Sequence, residues 1–141
     1  MSDKIFLDTN IFIYSIDSSP REKRKRDIAR GIIKENIRNE TGVISIQVLQ
    51  EFYQVSTHKI KVPLSIEEAL EFLHYVAILE TVKPDFALIV AAILLQKKHN
   101  VSFWDALILQ AAKTVGCMVV YSEDLKDEMR IENMTVKNPF I

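Results

Sequence analysis

The chain has 141 residues, 48% hydrophobic and 26% charged, which is enough for a single domain spanning 1–141 that buries a core without a disulfide or metal staple. Eighteen Lys and Arg against nineteen Asp and Glu give a net charge of −1, so composition alone selects neither nucleic acid nor a membrane surface. Three glycines and four prolines exclude low-complexity disorder, the single Cys117 excludes an internal disulfide, and MSDKIFLDTN has no secretory pattern, which makes the cytoplasm the expected location.

In chain order, Lys4–Leu7 reads as a short strand ending at Asp8, followed by a short helix from Asn10. Pro20 opens a basic helix, because its missing N–H is not needed in a first turn. Val43–Ile46 is a second strand leading into a helix over Gln47–His58. Ser65 and Glu68 stand at capping-box spacing and start the next helix. Ala77–Val82 reads as a third strand. The run Phe86–Leu95 is apolar throughout but far short of the roughly 20 residues that cross a bilayer, so it predicts a buried helix and no membrane association. Ser102 opens a helix that stops at Gly116, Met118–Tyr121 is a fourth strand, and Met134–Val136 a weak last one. Strands separated by helices predict an α/β fold: a central parallel sheet of about 4–5 strands with helices on both faces.

The charge is uneven along the chain. Arg21–Arg38 holds eight basic and three acidic residues, a local +5. At helical spacing Lys23, Arg26, Arg30 and Lys34 share one face, with Ile28, Ala29 and Ile32 roughly opposite. That face is either simply solvated or an electropositive wall for a phosphate backbone or an acidic partner.

Four acids fall where such a sheet binds ligands, outside the carboxyl ends of its strands. Asp8 ends strand one, Glu51 lies in the helix after strand two, and Asp124 follows strand four. Asp105 starts a helix that can face the same edge. Each also has a purely structural explanation. Asp8 can cap a helix, Glu51 can sit on a polar rim, Asp105 can pair with Ser102 at a helix start, and Asp124 can belong to a wet acidic loop. Gathered together they repel: two carboxylates about 4 Å apart cost about 4 kcal/mol at an effective dielectric of about 20. A hard divalent cation, Mg²⁺ or Mn²⁺, removes that repulsion and prefers oxygen ligands. His58, His74, His99 and Cys117 show no zinc spacing. Trp104, beside Asp105 in an apolar helix, reads as a core residue, leaving no stacking platform for RNA bases.

FLDTN at Phe6–Asn10, the pair Ser45 and Glu51, FWDA at Phe103–Ala106 and YSEDL at Tyr121–Leu125 resemble the PIN-domain ribonucleases. The size and the closing Val136–Phe140 segment look most like the VapC-type toxins of toxin–antitoxin pairs. The resemblance runs over essentially the whole chain and implies a PIN-like fold. It makes Asp8, Glu51, Asp105 and Asp124 the metal-binding, catalytic acids, with Asn10, Ser45 and Ser122 in support. The hydroxyl–any–acid pattern at Ser122–Asp124 selects Asp124, though the neighbouring Glu123 is an alternative fourth ligand.

The implied function is Mg²⁺- or Mn²⁺-dependent endoribonuclease activity by the toxin of such a pair. The implied partners are an RNA substrate, a small antitoxin and a second copy in a homodimer. Lys23, Arg26, Arg30 and Lys34 would contact RNA backbone or the partner. The alternative is a catalytically inactive relative that works by binding its partner. A dinucleotide-binding module is excluded by the missing glycine-rich turn after strand one. An aspartyl-phosphate phosphatase is disfavoured by Asn10, where such enzymes want a second Asp, and by the lack of a well-placed lysine signature.

Overall fold

The computed structural model describes residues 3–141. Six strands, β1 (Ile5–Leu7), β2 (Gly42–Ser45), β3 (Glu80–Val82), β4 (Val119–Tyr121), β5 (Arg130–Ile131) and β6 (Met134–Lys137), form one sheet in the order β3-β2-β1-β4-β6-β5. All neighbours are parallel except the β5–β6 pair. Six helices complete the domain: α1 (Thr9–Ile16), α2 (Lys23–Arg38), α3 (Ile46–His58), α4 (Ile66–Val76), α5 (Phe86–His99) and α6 (Phe103–Thr114). A 3₁₀ turn at Pro20–Glu22 leads into α2, so Pro20 starts the turn and not the α-helix itself.

The central strands are apolar because both faces are covered. Phe6, Leu7, Val43, Ile44 and Val120 are fully buried. The chain runs β1, β2, β3 in one direction, then crosses back to place β4 on the other side of β1. Right-handed crossovers therefore put α1–α4 on one face and α5–α6 on the other. The reversal of strand order lies between β1 and β4, and it brings Asp8 and Ser122 side by side at the carboxyl edge.

Local signals set the helix ends. Ser65 accepts from the Glu68 backbone N–H at 3.1 Å and donates its own N–H to the Glu68 carboxylate at 2.9 Å, a complete capping box. Ser65→Ala should cost about 1 kcal/mol, read as a lower midpoint in chemical denaturation with an unchanged slope. Gly116 ends α6 at φ +79°, a conformation that costs other residues strain.

Two expectations fail here. The helix over Phe86–Leu95 is not buried: only Leu88, Ala92 and Leu95 face the core, while Phe86 is 81% and Leu94 63% exposed. Its uniformly apolar sequence carries no periodicity that distinguishes an inner from an outer face. Trp104 is likewise no core residue, being 65% exposed at the start of α6. The strand β5 was not foreseen; two residues joined to β6 by a tight turn leave almost no pattern. No helix among the described residues is long and apolar enough to cross a membrane.

Candidate active site at the carboxyl edge of the sheet

Asp8 is the centre of the site. It leaves β1 at the reversal point, caps α1 and is buried. Its Oδ1 accepts from the Thr9 N–H at 2.7 Å, and its Oδ2 from the Ser122 hydroxyl at 2.6 Å. Burial pushes its carboxyl up from 3.8 to about 6. The two hydrogen bonds pull the other way, and the nearby charges of Asp124 and Glu51 add to the rise.

Glu51 and Asp124 flank it through shared donors. The Thr9 hydroxyl donates to Glu51 Oε2 at 3.1 Å, while Gln47, one helical turn earlier on α3, donates to Oε1 at 2.8 Å. Ser122 accepts from the Asp124 N–H at 3.1 Å, so one buried hydroxyl ties Asp8 to the loop that carries Asp124. Asn10 completes the link, donating to Asp124 Oδ2 at 3.2 Å and accepting from the Glu123 N–H at 3.2 Å. Asn10 and Ser122 thus each bond to one or more of the acids or to the loop between them.

Asp105 joins less directly. It is half-buried in the first turn of α6, where its N–H is capped by Ser102. The contact between this turn and the acids runs through Gln47, whose amide also reaches the Trp104 carbonyl at 3.4 Å. Ser45 departs from its expected role. Its hydroxyl is the one buried side-chain polar atom among the described residues without a hydrogen-bond partner, so it supports no acid.

Glu123 points to a different cluster. Its carboxylate accepts from the Tyr14 hydroxyl and from the Lys25 ammonium, both at 2.6 Å. Lys25 lies over the Tyr14 ring at 4.7 Å and the Phe140 ring at 5.8 Å from their centroids. Both Glu123 oxygens are thereby engaged, which separates it from Asp124. Lys25, Thr9, Gln47 and Tyr14 were missed from sequence. For Gln47 the four-residue spacing to Glu51 was a usable signal; for Lys25, one cation in a basic run, there was none.

The basic face of α2 is partly committed to structure. Arg26 donates to the Asp17 and Ser19 carbonyls at 2.7 and 3.0 Å, and Arg30 to the Ser15 carbonyl at 2.8 Å. Lys23 pairs with Asp27 along the same helix at 2.6 Å. Arg30 and Lys34 border a surface pocket with Phe72 and Tyr75. Arg26 and Arg30 therefore clamp the far end of α1, about 12 Å along that helix from the acids.

The donor set suits a hard divalent cation. It consists of carboxylate oxygens, and although burial dominates the rise of the Asp8 carboxyl, the charges of Asp124 and Glu51 add to it, a smaller part that a cation would offset. No group of three His, Cys, Asp or Glu among the described residues is assembled closely enough to enclose a metal as it stands. Thr9, Gln47, Asn10 and Ser122 stand between the carboxylates instead. Cys117 offers no rival chemistry, since burial pushes its thiol up to about 12.

The PIN domain family profile matches residues 5–128, a span that contains all four acids. The chain belongs to the PIN domain family. Solved structures agree on the fold at low identity. VapBC from Salmonella typhimurium, bound to DNA, aligns over 98% of this chain and 99% of its own, with 21% identity and a TM-score of 0.67. VapBC2 from Rickettsia felis, bound to a promoter fragment, covers 95% and 97%, with 23% identity and a TM-score of 0.67. VapC20 from Mycobacterium tuberculosis, a toxin that cleaves the sarcin–ricin loop, covers 86% and 90%, with 17% identity and a TM-score of 0.62. No curated protein matches this PIN domain in sequence.

Proposed function

We propose that this PIN domain is a divalent-metal-dependent endoribonuclease and the toxin of a toxin–antitoxin pair. The observation that carries the reading is that Asp8, Glu51 and Asp124, from three separate segments, are linked through Thr9 and Ser122 around one reversal of strand order, close enough for the charges of Glu51 and Asp124 to act on Asp8. Asp8, Glu51, Asp124 and, from α6, Asp105 would hold Mg²⁺ or Mn²⁺. When bound, such an ion lowers the pKa of a water and stabilises charge on the scissile phosphate. The chain's own residues do the rest. Thr9 and Gln47 orient Glu51, Ser122 and Asn10 orient the loop of Asp124, and the Thr9 N–H and Ser122 hydroxyl fix the two oxygens of Asp8.

The relatives crystallised as toxin–antitoxin complexes support a small protein inhibitor for this chain too. An inhibitor reaching the acids should present Arg or Lys, because a cation satisfies the same carboxylates. Its binding then competes with metal, and raised Mg²⁺ weakens it. A homodimer, with the cytoplasm as its location, completes the proposal. The exposed side of α5, with Phe86, Ile89, Val90, Ile93 and Leu94, is the apolar surface a second copy would cover. Lys23, Arg26, Arg30 and Lys34 remain candidates for RNA backbone or the inhibitor, Arg26 and Arg30 only through groups not already bonded to carbonyls.

The test is cleavage of total cellular RNA with Mg²⁺, Mn²⁺ or EDTA, followed by mapping of the new ends. Discrete cleavage that EDTA abolishes supports the reading. The spacing of the acids favours one rival, an inactive partner-binding relative, and absence of cleavage with every divalent metal would establish that instead.

A further inference from the structure

Beside the acids lies a groove of about 290 Å³ that the nuclease reading leaves without a role. Its polar and aromatic lining is Ser45 at the end of β2, Gln47 and Gln50 on α3, and Phe103 and Trp104 at the start of α6. The rest is an aliphatic wall that includes Ile89, which also borders the α5 face proposed for a second copy. Gln47 connects it to the acids, since the same amide bonds Glu51 and the Trp104 carbonyl. Ser45 leaves β2 as Asp8 leaves β1, and neighbouring parallel strands lie about 4.8 Å apart. The groove therefore opens about one strand spacing from the centre of the site.

Its lining is mostly apolar, with an aromatic corner and two amides, which suits a flat ring with a polar edge. Trp104 is largely exposed and meets Phe103 in a T-shaped contact with centroids 5.3 Å apart. Aromatic faces beside a phosphate-handling site stack bases of single-stranded nucleic acid. The rim carries two amides, which can donate to and accept from a base edge. In the wall Ser45 is only 4% exposed and its hydroxyl has no partner, a cost that a hydrogen bond from a ligand offsets. The volume sits at the small end of ligand sites, suited to one ring system and too small for a peptide helix.

We infer that this groove receives an unpaired base adjacent to the scissile phosphate, stacked on Trp104 with its edge read by Gln50 and Ser45. The inference rests on the ribonuclease reading above and adds the means by which cleavage becomes selective for single-stranded sequence. Gln47, which holds Glu51, couples occupation of the groove to the acids.

Trp104 is the only tryptophan in the chain, so its fluorescence reports the groove directly. The probe is a mixed-sequence single-stranded oligoribonucleotide, titrated with Mg²⁺ into Asp8→Asn protein, which leaves the RNA intact. Inorganic polyphosphate supplies the same charge without bases. The oligoribonucleotide should quench Trp104 and polyphosphate should not. Trp104→Ala should weaken binding about 5- to 150-fold, and Trp104→Phe should restore much of it. Ser45→Ala should relax the base preference at the cleavage site while raising Tm, because it removes an unsatisfied buried hydroxyl. Normal cleavage by Trp104→Ala with unchanged affinity and site choice overturns the base site and leaves the ribonuclease standing. If wild-type protein neither binds nor cleaves RNA, both fall together. If Trp104→Ala converts a dimer into a monomer, the groove is a contact between copies and the inference is wrong.

Discussion

Asp8→Asn should abolish RNA cleavage and, at neutral pH without metal, make the protein more stable. The loss of activity follows from charge. The amide keeps the shape of the carboxylate but gives up an anionic oxygen, and a decrease of at least about 100-fold is expected, the upper end for disturbing merely the outer shell of a metal site. The gain in stability follows from burial. The Asp8 carboxyl stands at about 6 in the folded protein against an ordinary 3.8, so folding favours its protonated form. The stabilisation from that form is fully present below about pH 3.8, is lost as pH rises through about 6, and is absent at pH 7. The interval corresponds to about 3 kcal/mol that ionised Asp8 costs the fold at neutral pH. Asparagine avoids it, and its local hydrogen bonds survive. The carboxamide oxygen still accepts from Thr9, and the Ser122 hydroxyl can turn from donor to acceptor opposite the new NH₂. Thermal melts of the two proteins in EDTA should therefore differ by several degrees at pH 7 and converge near pH 4. Added Mg²⁺ or Mn²⁺ should raise the Tm of wild type by mass action and leave the variant unmoved. A pH-independent gap, or a less stable Asp8→Asn protein at pH 7, would show that burial of this charge is not what governs the site. The same proton affinity predicts that cleavage declines below about pH 6, and that excess metal moves the decline to lower pH.

Much of this site can be traced to short sequence features, and the part that cannot has a common cause. Asp8, Ser122 and Asp124 belong to strand ends, and a rule about parallel sheets places strand ends together before any coordinates exist. Ser65 and Ser102 announce helix starts through contacts three residues away, so their roles are local. Lys25 is different. It meets Glu123 98 positions along the chain, and nothing in its own helix separates it from the surrounding lysines and arginines. Arg26 and Arg30 show the converse error: helical periodicity puts them on a polar face, but packing of α2 on α1 turns their guanidinium groups onto the carbonyls at the end of α1. Phe86 and Trp104 were misplaced because an apolar residue is assigned to the core by default. The default fails here because a run apolar on every side, or an aromatic in a first helical turn, carries no periodicity that says which side meets solvent.

Replacing Glu123 and Asp124 one at a time should separate support from chemistry. Glu123→Gln removes a charge whose two oxygens already serve Tyr14 and Lys25 at 2.6 Å. The pair with Lys25 is partly shielded, with about a quarter to a third of each side chain exposed, so it lies between a surface ion pair and a buried one. Its loss should destabilise the domain by about 1 kcal/mol. Cleavage should persist within roughly an order of magnitude, because Asn10 and Ser122 still hold the loop by bonds that do not pass through the Glu123 side chain. Asp124→Asn should do the reverse. Asp124 is exposed and accepts one side-chain hydrogen bond, from Asn10 at 3.2 Å, so the fold loses almost nothing, within about 0.5 kcal/mol. Its carboxylate is one of two that raise the Asp8 carboxyl, and on the proposed nuclease reading its removal takes charge from the place where metal and phosphate would meet. Cleavage should fall at least about tenfold, with a higher metal concentration needed for half-maximal rate. Denaturation midpoints and metal titrations of the two variants should thus cross: stability lost with Glu123, metal-dependent rate lost with Asp124. Should Glu123→Gln instead lose the metal-dependent rate and Asp124→Asn keep it, the fourth acid is Glu123, and the bonds to Tyr14 and Lys25 must break for the enzyme to work.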